Sequence, residues 1–241
     1  MSTVYLVRHG QAGTRDAYDS LSELGKQQSL LLGEYFVSHG IRFAAAYVGT
    51  LRRQQETAKE ICQAFADAST QFPAIKADPG WDEFDLGRVY SEIAPLLGAE
   101  DSEFRREYEE MSALARASAD HAASVHREWR PSDTKVVKAW ISGRYTYGGE
   151  SWHQFRERVA ACRLRMQDAQ RQKNIVIFTS ATPVSIWVGL SLEIFDERVM
   201  WLAGALYNAS YTILQLREGQ LRLLAFNAVP HLAAPGLCTR R

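Results

Sequence analysis

The 241-residue chain has no excess of either charge: 28 Lys and Arg are matched by 28 Asp and Glu. It therefore lacks the basic field that draws in nucleic acid or an anionic membrane, and any anion it binds must be held by particular arginines. Long apolar runs are missing as well; none approaches the ~20 residues that span a bilayer. The opening residues, Met-Ser-Thr-Val-Tyr-Leu-Val-Arg-His-Gly, contain no basic region followed by an apolar stretch. A secretory leader is therefore not expected, and a cytoplasmic location is. Cysteine is scarce: Cys62, Cys162 and Cys238 are odd in number and widely spaced, which suits buried thiols in a reducing compartment better than disulfides or a metal site. No internal repeat, low-complexity tract or Pro/Ser-rich linker interrupts the chain. A single domain over 1–241 is expected, large enough to bury a core without staples.

The apolar pattern alternates between strand and helix. Thr3–Val7 is a short apolar run rich in β-branched residues and ends in Arg8-His9-Gly10. Ser22 can cap a helix carrying Leu24, Leu31 and Tyr35 inward and stopping near His39-Gly40. Ala44–Val48 is a second strand, and Leu51, Ala58, Ile61, Cys62 and Phe65 line a second helix. Residues 88–147 break the rhythm as a mainly helical cap insertion. Within it Phe104, Tyr108, Met111, Ala115, Ala122, Val125 and Trp129 recur at helical spacing up to Pro131, and Asp101–Arg105 and Arg106–Glu110 stand four apart. A shorter helix with Val136, Val137, Trp140 and Ile141 inward stops at Gly143. Trp152, Phe155, Val159, Cys162, Met166 and Ala169 then form a helix seam, Ile175–Phe178 is a buried strand, and Tyr207–Arg217 and Leu221–Phe226 flank Glu218-Gly219 as a hairpin. The fold class expected is a three-layer α/β/α sandwich with a mostly parallel sheet, an antiparallel edge hairpin and the helical cap.

In a parallel sheet the ligand crevice lies beyond the carboxyl ends of the strands. Strand one ends there in Arg8-His9, and strand two leads over Gly49-Thr50 into a helix bearing Arg52 and Arg53. The strand at Ile175–Phe178 ends in Thr179-Ser180 and leads to a helix with Thr182 as expected cap and Pro183 in its first position. Guanidinium, imidazole and helix N–H groups converging on one volume suit a dianionic phosphoryl group. At this level either arginine could serve, and Ser180 could be a plain turn residue.

Several segments resemble the histidine phosphatase superfamily, the phosphoglycerate mutase-like enzymes. Leu6-Val7-Arg8-His9-Gly10-Gln11 resembles its signature, and Leu21-Ser22-Glu23-Leu24-Gly25-Lys26-Gln27-Gln28 its L-[TS]-x-x-G-x-x-Q helix start. Leu51-Arg52-Arg53-Gln54-Gln55-Glu56-Thr57-Ala58 is similar to L-x-R-x-x-x-T-A, which selects Arg53, and Glu83 to Gly87 is similar to E-x-x-x-G. Gly149-Glu150-Ser151, Asn208-Ala209-Ser210, Phe226-Asn227 and His231-Leu232 match further pieces in order.

The resemblance implies a phosphomonoester phosphatase with no metal and no cofactor. His9 would be the nucleophile and Glu83 the general acid and base, with Asp82 and Asp85 as rivals that the spacing to Gly87 disfavours. Arg8, Arg53, Gln11, Ser180 and Ala181 would bind phosphate. The family carries a second histidine where this chain has Ser180, so the pocket is expected to be slower, to recruit His231, or to bind phosphorylated ligands without turning them over. A mutase is less expected, because Gln11–Asp16 is short and lacks the Trp-Asn pair of mutases. Arg15, Trp81, Arg144, Tyr145 and Tyr147 are candidates for clasping a phosphorylated small molecule or phosphopeptide, although Trp81 fits a core anchor equally. Neither nucleic acid nor membrane is an expected partner, and the oligomeric state, monomer or homodimer, stays open.

Overall fold

The computed structural model describes residues 1–13, 19–117, 131–166, 173–218 and 220–240. The chain divides into two compact units. One takes the N-terminal segment through Gly13, the stretch ending at Glu83 and the chain from Arg158; the other takes Phe84–Glu157. Among the described residues no helix is long and apolar enough to cross a membrane.

The first unit is built on a six-stranded sheet. Its strands are β1 (Ser2–Arg8), β2 (Ala45–Val48), β3 (Ile75–Ala77), β4 (Asn174–Thr179), β5 (Tyr211–Arg217) and β6 (Gln220–Ala228), in the spatial order β3-β2-β4-β1-β5-β6. The first four run parallel, and β5 and β6 close one side antiparallel. This is the mixed sheet with an edge hairpin expected from the sequence; Gly219 of the turn lies outside the described residues. β1 and β4 occupy the centre and are buried along almost their whole length, as continuous apolar runs in parallel sheets are.

Helices α1 (Glu23–Ser38) and α2 (Arg52–Asp67) cover one face, where Leu32, Phe36, Ile61 and Phe65 pack on Tyr5, Val7, Val176 and Phe178. Ser22 caps α1 by accepting the Gly25 N–H at 3.0 Å. Gly40, at φ +66°, follows its end in the left-handed conformation that glycine takes without strain. The inward ridge of α1 differs from the expected one. Leu24, Leu31 and Tyr35 are only half-buried, while Gly25, Gln28, Ser29, Leu32, Gly33 and Phe36 are buried. Small and polar side chains face inward because α1 sits tightly on α2: a Cβ on Gly33 would lie 2.7 Å from the Ala64 Cβ. In α2, Ala58, Ile61 and Phe65 are core, whereas Leu51 and Cys62 are half-buried.

The second unit is helical: α3 (Leu86–Glu100), α4 (Ser102–Ala117), α5 (Pro131–Ile141) and the start of α6 (Trp152–Arg165). Phe84 stacks on Trp140 at 4.5 Å, and Trp152 meets Trp140 edge-on at 5.5 Å. Pro131 opens α5, in keeping with proline's fitness for a first turn; Ala122, Val125 and Trp129, and with them the expected helix end before Pro131, lie outside the described residues. Gly143, at φ +63°, stops α5. Asp101 bonds Lys135 at 2.8 Å and the Phe104 N–H at 2.9 Å, while Arg105 turns to the Gly98 carbonyl, so the expected Asp101–Arg105 pair gives way to a cap. The α6 seam is buried at Trp152, Phe155, Val159, Cys162 and Met166; Ala169 lies outside the described residues.

In the first unit α7 (Ala181–Leu192) continues directly from β4, and Trp187 Nε1 donates to the Val159 carbonyl at 3.0 Å, locking α7 to the end of α6. A further helix, α8 (Asp196–Ala205), and strand β3 were not anticipated. β3 is three residues long and half exposed, which leaves no apolar signature to read.

The tightness of the α1–α2 contact has a measurable consequence. Gly33→Ala is expected to destabilise the fold by about 1–3 kcal/mol through overpacking against Ala64 and the Ile61 backbone, read as a lower urea midpoint with an unchanged slope.

Candidate active site

The carboxyl ends of β1, β2 and β4 meet in one place because the strands are adjacent and in register, with Arg8 opposite Thr179 and Val48 opposite Phe178. His9 follows β1 directly. Its N–H donates to the Thr179 carbonyl at 2.9 Å and its carbonyl accepts the Ala209 N–H at 3.1 Å, so its backbone is held from both sides.

Glycine makes the turn after His9 possible. A Cβ on Gly10 would lie 2.3 Å from the Gly25 carbonyl oxygen, and one on Gly25 would lie 2.1 Å from the Gln11 carbonyl oxygen. Only two glycines permit this approach of backbone to backbone. Around it, the Gly10 N–H reaches Thr57 Oγ1 at 3.0 Å, and Thr57 Oγ1 donates to the Arg53 carbonyl at 2.8 Å. Gln11 is tied on three sides: its N–H to Gln28 Oε1, its carbonyl to the Ser22 N–H, and its side-chain oxygen to the Ser22 hydroxyl.

The imidazole of His9 is buried and has a defined tautomer. Nδ1 lies 2.8 Å from the Gly10 carbonyl oxygen, an atom that only accepts, so the proton is on Nδ1. Arg53 Nε donates to Nε2 at 3.3 Å, which Nε2 can accept only as a lone pair. Burial, then the Arg53 charge, then the Arg8 charge hold the imidazole pKa well below its usual 6.5, against a smaller opposing effect of the Gly10 bond. Arg8 is itself buried and donates to the Leu206 carbonyl. Arg53 is buried too, and its Nη1 meets Asp19 Oδ1 at 2.8 Å. Asp19, whose other oxygen caps the Arg52 N–H at 3.1 Å, escaped the sequence reading. Its loop position gives no periodic signal.

Three carboxylates follow Trp81, and the structure separates them. Asp82 accepts from both the N–H and the hydroxyl of Thr50. Asp85 caps α3 by accepting the Arg88 N–H at 2.9 Å. Glu83 reaches the first turn of α7, where Oε2 accepts the Thr182 N–H at 3.1 Å, favoured by the positive end of the helix. The loop is braced from behind by Arg158, whose Nη1 donates to the Pro79 and Gly80 carbonyls at 2.8 and 3.1 Å. Arg158, on the outer part of an ordinary helix seam, was also missed.

The junction of β4 and α7 corrects the expected cap. Ser180, in extended backbone, is the cap residue; Ala181 begins the helix, and Thr182 and Pro183 lie inside its first turn. Ser180 makes no side-chain cap bond. Instead its Oγ accepts from Gln54 Nε2 at 2.8 Å, and both residues are buried.

The remaining candidates have partners of their own. Trp81 is fully buried with its ring 5.0 Å from that of Trp187, and its carbonyl accepts from Thr179 Oγ1 at 2.6 Å. It is a core anchor, since the large indole is needed to fill the space under the Glu83 loop. His231 packs beside Tyr35, with ring centroids 6.3 Å apart, and against the backbone at Ala209; burial pushes its pKa down to about 4. Arg144, Tyr145 and Tyr147 belong to the second unit, where Arg144 pairs with Glu100 and lies over the Tyr145 ring, and Arg88 lies over the Tyr147 ring. Arg15 lies outside the described residues.

A family model described as the histidine phosphatase superfamily (branch 1) matches residues 4–121 and 103–229. The chain belongs to the histidine phosphatase superfamily. No curated protein matches it. Solved structures of the same fold include Bacillus stearothermophilus YhfR, at TM-score 0.63 and 18% identity over 96% of this chain and 99% of that one. A phosphoserine phosphatase mutant from Entamoeba histolytica in complex with phosphoserine follows at TM-score 0.60 and 18% identity, covering 96% of this chain and 100% of that one. A phosphoglycerate mutase from Bacillus anthracis matches at TM-score 0.60 and 15% identity over 95% and 94%. This superfamily member thus shares its fold with phosphatases and a mutase alike.

The depressed histidine pKa values set a pH dependence. Below their usual 6.5 the unfolded chain takes up protons that folded His9 and His231 refuse. Stability is therefore expected to fall as pH drops from 6.5 to 5, by at most about 1.4 kcal/mol per pH unit for each histidine. Urea unfolding across that range checks the slope. In nitrogen-15 spectra His9 should stay neutral at pH 6, and Arg53→Met should raise its pKa.

Proposed function

We propose that the chain hydrolyses a phosphomonoester through a phosphohistidine formed on His9. The observation that carries this reading is the His9 tautomer: Nδ1–H is committed to the Gly10 carbonyl, leaving the lone pair on Nε2, the nitrogen that faces the buried Arg53. A neutral imidazole with its pKa held low is a ready nucleophile near pH 7.

Nε2 would attack phosphorus in line, forming the N–P bond as the bond to the leaving oxygen breaks. Arg8 and Arg53 would balance the charge on the equatorial oxygens, with the Ser180 hydroxyl and the Ala181 N–H at the start of α7 as further donors. A phosphoryl group would share Arg53 with Asp19. Glu83 is the carboxylate of the three that is not engaged by Thr50 or by a cap of α3, and it would protonate the leaving oxygen. Water would then attack the phosphohistidine, giving its proton to Glu83 and releasing inorganic phosphate. The guanidinium charges supply the electrostatics, so the reading assigns no metal and no cofactor.

The substrate class we propose is a phosphorylated small molecule or phosphopeptide. The three unpaired cysteines, two of them with thiol pKa values pushed up by burial to about 11 and about 12, fit a reducing cytoplasm. Ser180 carries no charge, and the reading accepts a weaker phosphate site: relative to a charged donor the loss is about 1.5–3 kcal/mol.

Hydrolysis of p-nitrophenyl phosphate in EDTA, with an acid-labile labelled phosphoenzyme trapped in wild type and absent in His9→Ala, is the expected outcome. Binding of phosphate with neither turnover nor label would instead make the chain a phospho-ligand binder. The role of Glu83 has its own signature. Glu83→Gln should cut kcat about 10²–10⁴-fold on an alkyl phosphate and much less on p-nitrophenyl phosphate, whose leaving group needs no proton. Equal losses on both would remove Glu83 from the acid role.

A further inference from the structure

We infer that Gln54 is a positioning residue that presents the Ser180 hydroxyl as a hydrogen-bond donor to the phosphoryl group; this rests on the phosphatase reading above. Gln54 is the third residue of α2, next to Arg53, and is fully buried. Its Nε2 lies 3.2 Å from the Trp81 carbonyl oxygen and 2.8 Å from Ser180 Oγ. A carbonyl oxygen only accepts, so the amide nitrogen must face both groups, with one proton directed to each. Gln54 Oε1 faces Gly49, which leaves room for it only because glycine has no Cβ: one there would lie 1.9 Å from that oxygen.

Ser180 Oγ is thereby made an acceptor toward the protein, and its own proton remains to be given elsewhere. Ser180 makes no side-chain bond to α7, and no described residue accepts from it. It follows β4 directly as His9 follows β1, and the His9 N–H bonds the carbonyl of its neighbour Thr179. The hydroxyl is fixed as a donor at the strand ends, the polarity that an anionic oxygen requires. Without Gln54 the Ser180 oxygen would be left to accept an N–H of the first turn of α7, as cap residues do, and its proton would no longer be aimed. Gln54 also ties the Trp81 carbonyl, two residues before Glu83, so a purely structural role in holding that loop is the competing account.

A double-mutant cycle separates the two. Inorganic phosphate binding is measured by calorimetry, with kcat/KM for p-nitrophenyl phosphate alongside, in wild type, Gln54→Met, Ser180→Ala and the double variant. Gln54→Met and Ser180→Ala should each weaken phosphate binding by about tenfold or more, and the double variant should bind no more weakly than Ser180→Ala alone. Additive losses, or wild-type affinity in Gln54→Met, would overturn the assignment. Gln54→Asn, whose shorter amide cannot reach Ser180, carries the same cycle if the methionine variant does not melt cooperatively. A wild type that binds phosphate without hydrolysing it sinks the catalytic reading and leaves the cycle intact. A wild type that binds none overturns both.

Discussion

The Nδ1 proton of His9 is shared with the carbonyl of the next residue in the chain, and the chemistry around it follows from that bond. It decides which nitrogen carries the lone pair, and so which side of the ring Arg53 can approach. The bond exists only because the chain turns sharply at Gly10, and the turn exists only because Gly25 lets α1 approach without side chains between. Gln28 and Thr57 then accept the Gln11 and Gly10 N–H groups of the turn, and Ser29 donates to the Gly25 carbonyl beside it, which explains why polar residues line the inner face of two amphipathic helices. A buried donor left without a partner would cost more than an apolar contact there could return.

The cations at the strand ends are not a consequence of composition. The chain is neutral, yet Arg8 and Arg53 are both buried within one turn of the imidazole. Buried charges need partners, and these have them: the Leu206 carbonyl for Arg8, Asp19 and the imidazole for Arg53. Asp19 thus acts as the resident counter-ion of a site whose neighbours would otherwise repel one another. The same logic places Glu83 at the positive end of α7 rather than in solvent.

Much of this was legible in the sequence. Continuous apolar runs marked β1 and β4, and the doubled rhythm of strand and helix marked the parallel sheet, because these patterns record burial directly. The strand-end rule brought Arg8, His9, Ser180 and the pair Arg52-Arg53 to one locality, and the family resemblance chose Arg53 from the pair. What escaped is equally physical. β3 is too short to carry a pattern, and α1 conceals its inner face because packing on α2 demands Gly33 where a periodicity count looks for leucine. Asp19, Gln54 and Arg158 act through long-range bonds, which leave no trace in local spacing. Trp81 was drawn toward the site by its place beside Glu83, whereas its ring is taken up by packing on Trp187.

His9 is bonded through its N–H to β4 and through its carbonyl to Ala209, two residues before β5. A catalytic side chain on a loop wanders on the timescale of loop motion, nanoseconds to microseconds. One whose two backbone groups are tied to the ends of neighbouring strands is drawn instead toward the more stable part of the fold. The nucleophile's address therefore belongs to that durable part, and any adjustment needed to accept different substrates must come from the parts that surround it.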